Sequence, residues 1–510
     1  MLFVDIACAQ IVLTNGANQA GTLLANTTNS YTLTANTGDS IVLRLGSSFN
    51  AKLQLKGPTG AFQGLAQDSP DNLIAYTATN SGTFTVLVSS FGLGGTGTYV
   101  LHLAQIPEAF IVPAGDEGGA LTNGGNFAGT IDLGDLDMWT FTANTGDTIN
   151  LRLGSSLNAK LQLYGPNGAL LGLAQDSPDN LIAYTATNSG TFTVLVSSFG
   201  LGGTGTYVLH LAQIPEAFIV PAGDEGGALT NGGNFTGTNT LGDLDLWTFT
   251  ANTGDAINLR LGTSGFNGKL QLYGPTGALL GLAQDSPDNL IAYSATNSGT
   301  FTVLVSSFGA GGAGTYVLHL AQFPEAFIVP PGDEGGGMTG SGSYVGTIEL
   351  GDEDPWAFTA CKGDVIRLGL NTTNFNGKLQ LYGSNGALLA TAQDSTALSI
   401  AYAATNCGTF TMLVSSFGAG GTGTYGLTAN ELSDEFKICR PIILGSSITV
   451  NGVGVVSNTV AVLYTTTNLD THFALWLPIN TNRFDLFGVF TYTNVYNPAQ
   501  LQQYFRLHVP

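Results

Sequence analysis

Along Thr148-Ile149-Asn150-Leu151-Arg152-Leu153, apolar and polar side chains alternate, the period-two pattern of a strand with one wetted face. Similar short runs predict eight strands between residues 111 and 218, near 126–132, 138–143, 147–153, 159–164, 168–174, 181–186, 190–199 and 206–213. Turns fall between them at Asn144-Thr145-Gly146-Asp147, Gly165-Pro166-Asn167-Gly168 and Asn188-Ser189-Gly190, where Gly or Asn can adopt positive φ. So many antiparallel strands in so short a segment predict a two-layer sandwich.

The same pattern returns along the chain. Ile111-Val112-Pro113-Ala114-Gly115-Asp116-Glu117 recurs from Ile219 and, with Pro331 for Ala, from Ile328, at spacings of 108 and 109 residues. A period this long is a whole domain, so each copy can bury its own core. Residues 65–127 and 173–235 are identical at every position, the mark of a duplicated module. The predicted organisation is a signal-peptide remnant at 1–9, repeats at 10–110, 111–218, 219–327 and 328–436, and a small β-module at 437–510. Pro107, Pro215 and Pro324, each in a Pro-Glu-Ala-Phe stretch, predict short stiff connectors and an extended arrangement. The fold class is all-β: four tandem jelly-roll-like sandwiches plus a C-terminal β-domain.

Composition agrees: 71 Gly and only 10% charged residues favour strands and tight turns with an uncharged polar surface. The net charge of −21 argues against nucleic acid, which needs clustered Lys and Arg, and leaves cations open. No apolar run is long enough for a membrane-spanning helix. Ala7-Cys8-Ala9 before Gln10 fits a signal-peptidase site, although the basic leader is missing.

One set of residues resembles a known family. Gly134-Asp135-Leu136-Asp137-Met138-Trp139-Thr140-Phe141, then Gly146-Asp147, Leu161-Gln162-Leu163-Tyr164-Gly165, Ser189-Gly190-Thr191-Phe192 and Gly205-Thr206-Tyr207 resemble the bacterial pre-peptidase C-terminal domain. That resemblance implies jelly-roll-like modules appended to secreted proteases and other extracellular proteins, related to collagen-binding modules, and serving secretion, localisation or attachment. Repeat 1 departs from it: Asn26-Thr27-Thr28-Asn29-Ser30-Tyr31 replaces the Gly-Asp-x-Asp-x-Trp motif. The tail, with Thr465-Thr466-Thr467-Asn468-Leu469 and Tyr504-Phe505-Arg506-Leu507, resembles the C-terminal β-modules of secreted Verrucomicrobia and Planctomycetes proteins.

Carboxylates recur in pairs: Asp135 and Asp137, Asp243 and Asp245, Asp352 and Asp354, with a second set at Asp116-Glu117, Asp224-Glu225 and Asp333-Glu334. Loop carboxylates this dense can hold calcium, which takes several oxygens without strict geometry. They can equally cap turns by accepting backbone N–H groups. Trp139, Trp247 and Trp356 read as core residues. Tyr164, Tyr273 and Tyr382 are replaced by Lys56 at the equivalent position of the first copy, which suits a tolerant surface position, with sugar stacking the sharper alternative. Alternation sets His102, His210 and His319 opposite their flanking leucines, facing solvent.

Cys361 and Cys407 stand where the other copies carry Asn and Ser, and are expected to pair, leaving Cys439 single unless Cys8 meets it. No nucleophile elbow, HExxH or phosphate loop appears. The sequence therefore reads as a non-enzymatic extracellular or cell-surface structural or adhesive protein without an assigned cofactor other than calcium. Its partners would be a polysaccharide or protein matrix, or further copies of itself. The alternative is a tandem carbohydrate- or collagen-like-protein-binding array, including the accessory tail of a secreted hydrolase.

Overall fold

A computed structural model describes residues 10–338, 341–430, 437–444, 447–453, 460–484, 489–495 and 502–509. The expected signal-peptide remnant lies outside them.

In the second repeat the strands are β1 (Gly118–Ala120), β2 (Asn126–Ile131), β3 (Asp137–Ala143), β4 (Thr148–Tyr164), β5 (Leu170–Thr185), β6 (Gly190–Ser198) and β7 (Gly205–Ile214). Hydrogen bonding joins them in the order β1-β3-β6-β4-β7-β2, with β5 also on β4; β1 lies parallel to β3 and the other pairs are antiparallel. The eight expected strands are all present. Two pairs run on without a break, because the ladder of β4 and β5 bends through register shifts between Gly154 and Lys160 instead of stopping at a turn. The N-terminal half of β4 pairs with β7 and its C-terminal half with β6, so one strand serves both layers of the sandwich. In the third repeat the corresponding strand divides into Ala256–Ser264 and Gly268–Tyr273, and the layers separate into a five-stranded and a four-stranded sheet.

Each repeat closes on its own apolar core. In the second, Ile149, Leu151 and Leu153 meet Leu161, Leu163, Phe192, Val194, Leu209 and Trp139. Equivalent cores occupy repeats 1, 3 and 4. In the C-terminal unit, strands Ser447–Val453, Val460–Thr466, Leu477–Arg483, Val489–Val495 and Tyr504–His508 enclose Val450, Ala461, Leu463, Phe484 and Phe490. Among the described residues, no helix is long and apolar enough to cross a membrane.

Candidate functional site at the repeat junctions

The sandwiches are packed against one another. A separate apolar cluster bridges each junction: Val42, Ala104 and Ile106 of repeat 1 meet Leu136, Met138, Tyr164 and Leu195 of repeat 2, and similar clusters join repeats 2 to 3 and 3 to 4. Backbones touch there. A Cβ on Gly46 would lie 1.9 Å from the Leu133 carbonyl oxygen, and one on Gly134 would lie 2.1 Å from the Gly46 nitrogen. Gly134 also holds φ +81°, so two requirements converge on glycine.

Polar groups lock the same contact. Arg44, 1% exposed, makes a bidentate pair with Asp71 (2.8 and 2.7 Å) and donates from Nη1 to the Ser198 carbonyl of the next repeat at 3.0 Å. Asp71 in turn accepts from the Gly202 N–H of that next repeat at 2.8 Å. Arg152–Asp179 with Ser307 and Gly311, and Arg260–Asp288 with Ser416 and Gly420, repeat the arrangement. A buried pair tolerates its desolvation only when its remaining donors and lone pairs are satisfied, and here the neighbouring repeat supplies those partners.

His102, His210 and His319 are buried, which corrects the expected solvent-facing position. Alternation does set them opposite the leucines, but that face is covered by the next repeat. Nδ1 of His102 lies 3.3 Å from Asp135, with 3.6 Å separations for His210–Asp243 and His319–Asp352. Burial, then the Arg44 charge, lowers His102 to about 4, so its imidazole is neutral at pH 7. Tyr164, Tyr273 and Tyr382 likewise prove to be buried interface residues, not exposed ones. Lys56 in the first copy reflects a face on which no described repeat packs.

Trp139, Trp247 and Trp356 lie in the core as expected. The Trp139 indole N–H donates to Tyr207, and the Tyr207 hydroxyl donates to Asp137 at 2.6 Å. The same chain runs from Trp356 through Tyr425 to Asp354 in repeat 4.

The expected acidic residues gather at these junctions. Carboxylate oxygens of Asp116, Glu117 and Asp137 come within 4.8 Å of one another, as do those of Asp224, Asp243 and Asp245 and of Asp333, Asp352 and Asp354. Asp135, Glu225 and Glu334 fall outside these triads. The two sequence readings overlap at Asp243, which both caps its turn and belongs to the second triad. Asp135 and Asp243 cap their turns, accepting from the N–H groups of Leu136 (2.8 Å) and Leu244 (3.0 Å). Asp137, Asp245 and Asp354 are 0% exposed; each has a tyrosine hydroxyl beside it, Tyr207, Tyr316 and Tyr425, and Asp137 Oδ1 and Asp354 Oδ1 have no hydrogen-bond partner among the described residues. Burial, then the neighbouring Asp, pushes each of these three carboxyls up to about 9. A buried carboxylate oxygen without a donor is costly, and a hard cation is the partner its chemistry fits. Beside the third triad lies a cavity of about 350 Å³ lined by Asn234, His319, Asp333, Glu334 and Asp352 among others.

The end repeats lack half of this apparatus. At the positions of Gly134, Asp135 and Asp137, repeat 1 has Asn26, Thr27 and Asn29; Asn26 keeps the turn at φ 59°. At the positions of Arg260, Gly262, Asp288 and His319, repeat 4 has Gly369, Asn371, Ala397 and Thr428. Coupling residues are thus present on faces that meet a neighbouring repeat. Adjacent sequence identity alone did not reveal that relation, since the two halves of each junction lie far apart in the chain.

The disulfide joins Cys361 to Cys439, and Cys407 is a free thiol, which corrects the expected Cys361–Cys407 pair. The two cysteines of repeat 4 do lie close together, but Cys439 of the C-terminal unit, 1% exposed, reaches Cys361 and bonds to it. Cys8 lies outside the described residues.

The family model of the bacterial pre-peptidase C-terminal domain matches residues 135–198 and 243–307. No curated protein matches the chain. Among solved structures, the pre-peptidase C-terminal domain of a collagenase from Bacillus anthracis is 18% identical, with 19% of this chain and 95% of that one covered and a TM-score of 0.17. Tripeptidyl peptidase 2 is 9% identical, with 75% and 36% covered and a TM-score of 0.16. The matched segments begin at the junction aspartates and run to the serines that meet the preceding repeat's arginine, and in these two tandem segments, 135–198 and 243–307, the chain matches the bacterial pre-peptidase C-terminal domain.

Proposed function

We propose that this chain is a non-catalytic extracellular spacer or adhesive rod, its sandwiches coupled head to tail and its junctions stiffened by calcium. The observation that carries this reading is the threefold recurrence of one junction, with the same glycine contact, the same shared Arg–Asp pair and a carboxylate triad, partly different in membership, each time. Independent binding sites would not require consecutive modules to share buried polar partners; a fixed inter-module angle does. Asp116, Glu117 and Asp137, Asp224, Asp243 and Asp245, and Asp333, Asp352 and Asp354 would hold the cation, whose positive charge would satisfy the unpartnered oxygens. Calorimetric titration of the full chain with calcium tests this: binding heat and a raised unfolding temperature are expected, and neither effect at millimolar calcium would remove the cation from the account.

The family match favours a second reading, in which the modules are the accessory tail of a secreted hydrolase and attach it to polysaccharide or a collagen-like protein. Co-sedimentation of the full chain with insoluble polysaccharides and with collagen separates the two. Retention on one of these solids supports attachment, and none leaves the spacer.

A further inference from the structure

Cys361 follows strand Glu353–Ala360 and Cys407 precedes strand Gly408–Ser416; Ala360 pairs with Gly408, so both cysteines leave the same end of one strand pair. At these positions repeat 2 has Asn144 and Ser189, and there the Thr145 N–H donates to the Ser189 hydroxyl at 2.9 Å. Repeat 4 keeps the geometry with a thiol: the Lys362 N–H donates to Cys407 Sγ at 3.3 Å. Cys439 arrives from the C-terminal unit, anchored by its own N–H to the Asn451 carbonyl at 2.8 Å. The three sulfurs lie within 4.8 Å of one another.

We propose that this trio is an intramolecular thiol–disulfide exchange site that clamps and releases the C-terminal unit. The Cys407 thiolate attacks Cys361 Sγ, a Cys361–Cys407 bond forms as the Cys361–Cys439 bond breaks, and Cys439 leaves as a thiolate that takes up the proton Cys407 gave. No electrons are gained or lost, so no oxidant or reductant is consumed. In the clamped state the C-terminal unit is covalently fixed to repeat 4. In the released state repeat 4 carries an internal disulfide, the unit is joined only through the backbone, and the Cys439 thiol is free.

The test incubates the full chain at mildly alkaline pH without added thiol, quenches it in acid, alkylates it and maps its disulfides by mass spectrometry. A Cys361–Cys407 peptide should appear beside Cys361–Cys439 and be absent from Cys407→Ser. In Cys439→Ser, Cys361 and Cys407 should pair fully on air oxidation. Mixing isotope-labelled with unlabelled chain should give no mixed-isotope pair. Cys361–Cys439 as the sole pairing at every time, two free thiols in Cys439→Ser, or mixed-isotope pairs would each overturn the proposal.

Discussion

Asp137, Asp245 and Asp354 are the residues at which the fold is most exposed to chemistry. Each is an acid held above its ordinary range, at about 9, by burial and a neighbouring carboxylate. The native state therefore binds more protons than the unfolded chain between pH ~4 and that value, and the stability these groups provide in acid is lost as pH rises across this window. With a chelator present, the unfolding temperature of wild type should fall more steeply between pH 5 and 9 than that of the triple variant Asp137→Asn, Asp245→Asn, Asp354→Asn. Calcium should flatten the wild-type curve alone. Glu353 offers a second test. It stands where the other junctions have Leu136 and Leu244, it is 5% exposed, and its Oε2 has no hydrogen-bond partner among the described residues. Glu353→Leu should raise the unfolding temperature at pH 8, since it replaces a buried carboxyl with the side chain that packs at the equivalent sites.

At the scale of strands and turns, the Arg–Asp pairs show what a junction demands. Arg152→Ala would leave Asp179 charged and buried without its bidentate partner, a loss of about 3–5 kcal/mol. The double variant Arg152→Ala, Asp179→Ala should recover part of that loss in chemical denaturation, as repeat 4 itself manages with Gly369 and Ala397. Gly46→Val should separate repeats 1 and 2 locally, since its Cβ would have to displace the Leu133 carbonyl. The strands of the sandwich were legible in sequence because alternation at Thr148–Leu153 and Gly-Asp or Asn-Gly turns act locally. That β4 and β5 run on through their bulges was not, because Gly154 and Pro178 at the bend read as strand ends as readily as bulges. His102 and Tyr164 were misplaced for a related reason: alternation assigns a face, and only the neighbouring module decides whether that face is wet.

For the whole molecule, the repeat and the family motif could be read directly, and so could the residues of the acidic set. What joined them could not. Asp116, Glu117 and Asp137 form one triad while Asp135 caps its loop and meets His102, whereas the equivalent Asp243 and Asp352 meet their histidines and also belong to their triads, a grouping that spacing alone does not give. Cys439 was read as unpaired for the same reason, since its partner belongs to a different unit of the chain. On the proposed reading, coupling through buried glycine, arginine and carboxylate contacts holds the sandwiches as one stiff body, whereas modules without such contacts would swing about their connectors. Small-angle scattering from the full chain in calcium decides between these. The account predicts the profile of an elongated rigid particle that matches a single arrangement of the four sandwiches; a profile fitted only by a broad ensemble of inter-module angles, or by a compact globule, would contradict it.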